Sequence, residues 1–324
     1  MRRRSFLAGV AALAAMPHAG AQPRSGVPRV GAMFAQRIPN AFYEAFRRGL
    51  LELGYIEGKN IQVDYRSAEG DLARYPAIAA ELVRLKPDVI VSGGGAPATR
   101  AAHGATRTIP IVFPVATDPV AEGWIKTLAR PGGNLTGLSI LESEMNPKRL
   151  QLLKEIAPSV LRVAVLIHAN VPLTDTLVRA MERAAAGLEV KLQFFKVDRL
   201  EELEPAIRSA RQAHAEALIV SASSLFAAHR VRLIALAAEQ NLLAVWEHRQ
   251  FTQAGGLVSY GADIADMYRS AARYVDRILK GHRPGDLPVE QANKLELVIN
   301  LRTAKAMGIV IPARLLVRAD QVIE

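Results

Sequence analysis

The sequence of 324 residues contains no cysteine. That excludes disulfides, thiolate metal sites, a cysteine nucleophile and an acylated N-terminal cysteine. It does not fix the compartment, because an exported protein need not carry disulfides. Aromatic residues are scarce at 6%, and no basic stripe interleaves with them, so nucleic-acid binding is not expected. Beyond the N-terminus no run approaches 18 uninterrupted apolar residues, as a membrane-spanning helix requires. There is no G-x-S-x-G, no H-E-x-x-H and no G-x-x-x-x-G-K-[ST], and the seven histidines are scattered. No catalytic residue, metal ligand or cofactor is therefore assigned from the sequence.

What is present describes a folded, exported chain. Half the residues are hydrophobic and 22% are charged, ordinary values for a globular protein. The length is about twice the ~150 residues typical of one domain, which predicts two lobes. Residues 1–21 combine Arg2, Arg3 and Arg4, an apolar run from Phe6 to Met16, and Ala19-Gly20-Ala21, the build of a signal peptide. Arg3-Arg4-Ser5-Phe6-Leu7 also fits a twin-arginine signal. The expectation is a soluble mature protein in the periplasm, exported by the general secretory or the twin-arginine route. The whole chain carries +10, from 41 Lys+Arg and 31 Asp+Glu. Without the three leader arginines this falls to 38 − 31 = +7, spread over amphipathic segments.

Past residue 26, short apolar runs alternate with longer amphipathic stretches. The runs are Val89–Val91, Ile111–Phe113, Val163–Ile167, Ala217–Val220, Ala244–Trp246 and Leu297–Ile299. Their continuity predicts strands covered on both faces, hence βαβ units and parallel sheets. One helix is marked by Phe42, Ala45, Phe46, Gly49, Leu50 and Leu53, ending at Gly54. Another starts at Asp263 and runs through Met267, Tyr268, Ala271, Ala272, Val275 and Ile278 to Gly281. The order of segments recurs: Asp88–Ser92 answers Ala217–Ser221, Ile109–Phe113 answers Leu242–Trp246, and Gly132–Gly137 answers Gly255–Tyr260. Two similar α/β lobes in tandem follow. The stretch after Tyr260 is read as a helix and one more strand, with the chain crossing between lobes more than once.

Two such lobes leave a cleft at the carboxyl ends of their strands, where loops and helix N-termini converge on a ligand. Candidate ligand-binding residues are the polar strand tips: Gln36, Ser92, Gly93, Gly94, Thr99, Thr117, Asp118, His168, Asn170, Ser221, Ser223, Glu247 and Tyr260. The turn Ser92–Thr99 satisfies G-x-G-x-x-A through Gly93, Gly95 and Ala98, with Asp118 twenty residues on. It reads as an anion pocket, a dinucleotide site or a structural turn. Glu247 or Asp118 could hold an ammonium group, and each polar tip could instead be a helix cap, Ser223 and Asp263 especially. Glu247 and His248, as strand neighbours, are expected to point to opposite faces.

Gly54–Ile61, Tyr65–Gly70, Thr117–Val120, Ala129–Gly137, Ala254–Gly261 and the tail from Leu287 to Asp320 resemble the substrate-binding proteins of ABC importers related to the TrpX group. The resemblance covers the mature chain and implies a type I periplasmic-binding fold: two Rossmann-like, doubly wound lobes with parallel sheets, a three-strand hinge and no catalysis. The lobes would comprise 22–139 plus about 262–285, and 140–261 plus about 286–324. It implies a monomer that captures a small solute, an amino acid or other small carboxylate, and delivers it to an inner-membrane ABC permease and its ATPase. Ligands of the TrpX branch are aromatic amino acids, and the Ser92–Thr99 turn would receive the carboxylate. This chain departs from relatives at His168-Ala169-Asn170, where an Asn-Pro pair is common, and at Trp246–Gln250. An exported nicotinamide-dependent oxidoreductase and a ligand-sensing module for a membrane receptor are the alternatives.

Overall fold

The computed structural model describes residues 26–140, 142–169 and 175–324. The signal-peptide segment 1–21 and Asn170 lie outside the described residues. The first lobe is built from β1 (Arg29–Phe34), α1 (Ala41–Glu52), β2 (Gln62–Ser67), α2 (Tyr75–Arg84), β3 (Val89–Gly93), α3 (Gly95–Ala105), β4 (Ile111–Ala116) and β5 (Leu135–Ser139). The second has α4 (Glu142–Ile156), β6 (Arg162–His168), α5 (Asp175–Gly187), β7 (Lys191–Val197), α6 (Leu203–Gln212) and β8 (Ala217–Val220). It continues through α7 (Ser224–Ala228), α8 (Arg230–Glu239), β9 (Leu243–Trp246), α9 (Arg249–Gln253) and β10 (Val258–Ala262). The strand orders are β2-β1-β3-β4-β5 and β7-β6-β8-β9-β10, the same topology twice. The continuous apolar runs are the buried central strands, sandwiched between helices on both faces.

After β10 the chain does more than add a helix and one strand. Capped by Asp263, α10 (Ile264–Leu279) returns to the first lobe and packs its apolar stripe on α1. Gly49 of α1 lies so close to the Arg269 carbonyl that a Cβ there would stand 2.3 Å from it. Next, β11 (Glu290–Gln291) pairs with β5, so the chain leaves the first sheet beyond the expected position near residue 286. It then enters the second sheet as β12 (Leu295–Asn300), followed by α11 (Leu301–Ala306), α12 (Ala313–Arg318) and β13 (Gln321–Ile323). Strand β12 runs antiparallel to β10, whereas every pairing in the first sheet is parallel. The chain arrives from the cleft edge, where β10 ends, and therefore can only run back along it.

Three connections join the lobes: Ser139 to α4, Ala262 to α10, and Gln291 to β12. One charge pair ties the last two together, and a second braces β12 against α9. Lys294 Nζ donates to Asp263 Oδ2 at 2.6 Å, and Arg249 Nη2 lies 2.9 Å from Glu296 Oε1. Among the described residues no helix is long and apolar enough to cross a membrane.

Candidate functional site

In a doubly wound sheet each helix begins where a strand ends, so first turns of helices line the cleft. The resulting cavity between the lobes holds about 120 Å³. That is of the same order as the ~150 Å³ void that takes up a benzene ring.

The wall from lobe one is backbone and aromatic. Gly94, Gly95 and Ala96 turn from β3 into α3 and face the cavity. A Cβ on Gly94 would fall 1.9 Å from Tyr75 Oη, and Gly95 has φ +70°, so glycine is required at both. Pro97 lacks an amide hydrogen, leaving the N–H groups just before it to present the positive end of the eleven-residue helix. Ser92 and Thr99 do not line the cavity. Ser92 Oγ and Thr99 Oγ1 are fully buried and hydrogen-bonded at 2.9 Å, stapling β3 to α3 behind the turn. Phe42 and Tyr268, each in the first turns of its helix, stack at 4.9 Å with an interplanar angle of 6°. The Tyr268 hydroxyl donates to the Gly93 carbonyl, and burial holds this phenol protonated, well above its usual range. Gln36 and Thr117 line the same wall, and Thr117 Oγ1 is buried with no hydrogen-bond partner among the described residues. Asp118 is not at the cavity; its carboxylate accepts from the Ala121 amide at 2.9 Å and shapes an exposed turn.

The wall from lobe two is made of polar side chains. Glu247 is buried, accepts from the Ser223 amide at 3.2 Å, and lies 3.5 Å from His248 Nε2. The expectation that Glu247 and His248 face apart fails because β9 ends at Trp246 and strand alternation stops with it. Burial pushes the His248 imidazole down to about 3, so it is neutral at ordinary pH. Ser223 Oγ accepts from Leu225 N, capping α7, and meets His168 Nδ1 at 3.0 Å. His168 is buried, and desolvation lowers its pKa against the opposing pull of Asp198. Ser221 lies behind this layer, where its hydroxyl accepts from Asn146 Nδ2 at 3.4 Å. The Tyr260 ring packs on the second lobe's core, and its carbonyl accepts from Arg149 Nε at 2.8 Å.

Arg149, buried on α4, was absent from the sequence candidates. It also donates to the Glu247 carbonyl at 3.2 Å and to Asn146 Oδ1 at 2.7 Å, so it braces the tips of β9 and β10. A signal existed: Met145, Arg149, Leu152, Leu153 and Ile156 share one buried helical face, and an arginine there needs an internal partner. Phe42 and Tyr268 belong to the apolar stripes of their helices, and only their places near the N-terminal ends, second in α1 and fifth in α10, set them apart from the core. Gly261 admits the Glu247 carbonyl, since a Cβ there would stand 1.9 Å away.

Thus seven sequence candidates meet at the cavity: Gln36, Gly93, Gly94, Thr117, His168, Ser223 and Glu247. The arrangement offers backbone N–H donors on one side and a buried carboxylate on the other, with aromatic and aliphatic surface between. Among the described residues no three His, Asp or Glu side chains gather to hold a metal ion.

The sequence profile of the ABC transporter substrate binding protein family matches residues 39–323. A tyrosine-binding protein of Clostridioides difficile (strain R20291) is 27% identical over 264 residues, 82% of this chain and 75% of that protein. Among solved structures, a conserved domain protein from Vibrio cholerae O1 is 30% identical with a TM-score of 0.83, covering 92% of this chain and all of that one. An ABC domain from Streptococcus pneumoniae in complex with L-Trp gives the same TM-score and the same coverages at 24% identity. The two-lobed architecture is that of type I periplasmic binding proteins.

Proposed function

Because the chain belongs to the ABC transporter substrate binding protein family, we propose that it captures a free amino acid, aromatic by preference, in the inter-lobe cavity and delivers it to a membrane ABC permease. The observation that carries this reading is the opposed polarity of the two walls. A zwitterion presents a carboxylate and an ammonium group side by side. The amides at the start of α3 suit the former, and the buried Glu247 carboxylate suits the latter. The Phe42–Tyr268 stack and the surrounding aliphatic surface suit a ring. The tyrosine-binding relative and the L-Trp complex agree with that ligand class.

Neither wall completes the site alone, so binding would favour a closed arrangement of the lobes. Lobe one would move as residues 26–139 with α10 and β11, and lobe two as α4 through β10 with the chain from β12 onward. The tips already stand close, since a Cβ on Gly95 would lie 3.7 Å from Ser224. The periplasm, a monomeric state, and the permease with its ATPase as partners belong to the same proposal.

The test is a thermal-shift screen of mature protein unfolded and refolded to strip any bound solute, against amino acids, small carboxylates and nicotinamide nucleotides. A ligand at ~1,000 times its Kd adds about 4 kcal/mol of native stability, a rise of order ten degrees for lobes of this size. Such a rise with one amino-acid class is expected. No rise with any amino acid, or a rise with nucleotides alone, overturns the reading.

A further inference from the structure

The lobes also meet at the lip of the cleft, away from the cavity. In each lobe the outermost strand, β2 or β7, leads into a single 3-10 turn before α2 or α6 begins. The turns are Leu72–Arg74 and Leu200–Glu202, and each opens on a leucine at the same position of the repeated topology. Leu200 packs on the core of its own lobe, in the cluster that contains Leu225 and Phe226. Leu72 packs on its own lobe, against the cluster of Ala68 and Tyr75, and also on that cluster of lobe two. One leucine of the pair crosses the cleft.

Its place in the fold gives that contact leverage. The three connections between the lobes leave from the opposite edges of the sheets, at β5 and β10 and beyond them. Leu72 follows β2, four strand positions from β5, so rotation about the connections parts it farther than the tips near the hinge. Leu72 does not line the cavity, so it touches the lobes and not the solute. The cluster it meets nonetheless backs the site, since the Phe226 ring stands 6.0 Å from that of His168. Parting the lobes returns this apolar contact to water, at a cost set by the area exposed.

We propose that Leu72 is a latch, seated on lobe two when the lobes are closed over a solute and released to water when they open. This rests on the reading above that a solute is held between the lobes. The latch sets how long the closed form lasts, while the cavity residues set what it holds.

Because the chain has no cysteine, Ala80→Cys on α2 and Ser209→Cys on α6, both exposed, can carry a fluorophore pair that reports the separation of the lobes. In the stripped, ligand-free protein Leu72→Ala is expected to shift that separation to larger values, and Leu72→Met to keep the wild-type value. With L-tyrosine or L-tryptophan as the probe, Leu72→Ala should release it about 5- to 10-fold faster at a similar association rate. A lower urea midpoint with separation and release unchanged shows a merely structural leucine and overturns the proposal. A shifted separation with neither amino acid bound by the wild type keeps the latch and removes the amino-acid reading. Should Leu72→Ala fail to fold, Leu72→Val carries the same measurements.

Discussion

The two lobes repeat one topology and present opposite chemistry to the cleft they share. After β3, lobe one offers a glycine turn whose functional atoms are backbone amides, held from behind by Ser92 and Thr99. The equivalent turn after β8 opens a five-residue helix capped by its own Ser223, and the chemistry passes to side chains on neighbouring tips, Glu247 and His168. A duplicated scaffold thus fixes where a ligand sits, while the tips decide which end of it each lobe holds. In lobe one, identity is written into the absence of side chains; in lobe two, into their presence.

That contrast predicts that substitutions in lobe two change affinity, whereas those in lobe one change stability first. The largest effect is expected for Glu247→Gln, which keeps the shape and removes the charge. Loss of one partner from a buried charge pair costs about 3 kcal/mol, so calorimetry should show affinity for an amino acid falling at least about a hundredfold with Tm little changed. Next comes Gly94→Ala, whose Cβ would collide with Tyr75 Oη. Overpacking of this kind costs about 1–3 kcal/mol, read as a lower midpoint in urea. A large loss of affinity at unchanged stability would break the comparison.

A smaller effect concerns pH. His248 titrates near 6.5 in the unfolded chain and at about 3 when folded. The unfolded state therefore takes up the proton first, and the native state loses stability as pH falls below about 6.5. By pH 5 the contribution is about 2 kcal/mol. His103, His168 and His229 shift in the same direction. The test compares chemical denaturation at pH 7.5 and 5 in wild type and variant, so that Glu122 and Glu296, raised by burial and opposing the histidines, cancel between the two. His248→Asn should flatten part of the slope, and an unchanged slope counts against the burial argument. The smallest effect is expected for Lys294→Ala, a half-exposed partner of Asp263 at the hinge. It should cost less than about 1 kcal/mol and alter affinity only marginally.

Much of this was legible in the sequence. Continuous apolar runs and a recurring order of segments gave both sheets, because strands covered on two faces leave no polar alternation. After Tyr260 the helix capped by Asp263 and the run Leu297–Ile299 were legible as α10 and β12, but β11 and β13 were not, since such short strands owe their existence to the sheet edges they pair with. At the site, strand tips could be named but not aimed. Ser92 belongs to β3 itself and turns under α3, whereas Glu247 lies just past the end of β9 and turns inward. Arg149 and Tyr268 were concealed by their helices, where a cleft-facing residue keeps the same spacing as a core one.

The return of α10 has a consequence for the order in which the molecule can be built. Phe46 and Leu50 of α1 are buried against Ala271, Ala272 and Val275, residues made after nearly all of lobe two has been synthesised. Lobe two in turn waits for Leu297 and Ile299 to close its own core. A nascent chain stopped anywhere before about residue 300 therefore exposes an unfinished apolar face on at least one lobe, a natural handle for chaperones. Maturation becomes a late, nearly simultaneous event in both halves, governed by distant pairings that form slowly.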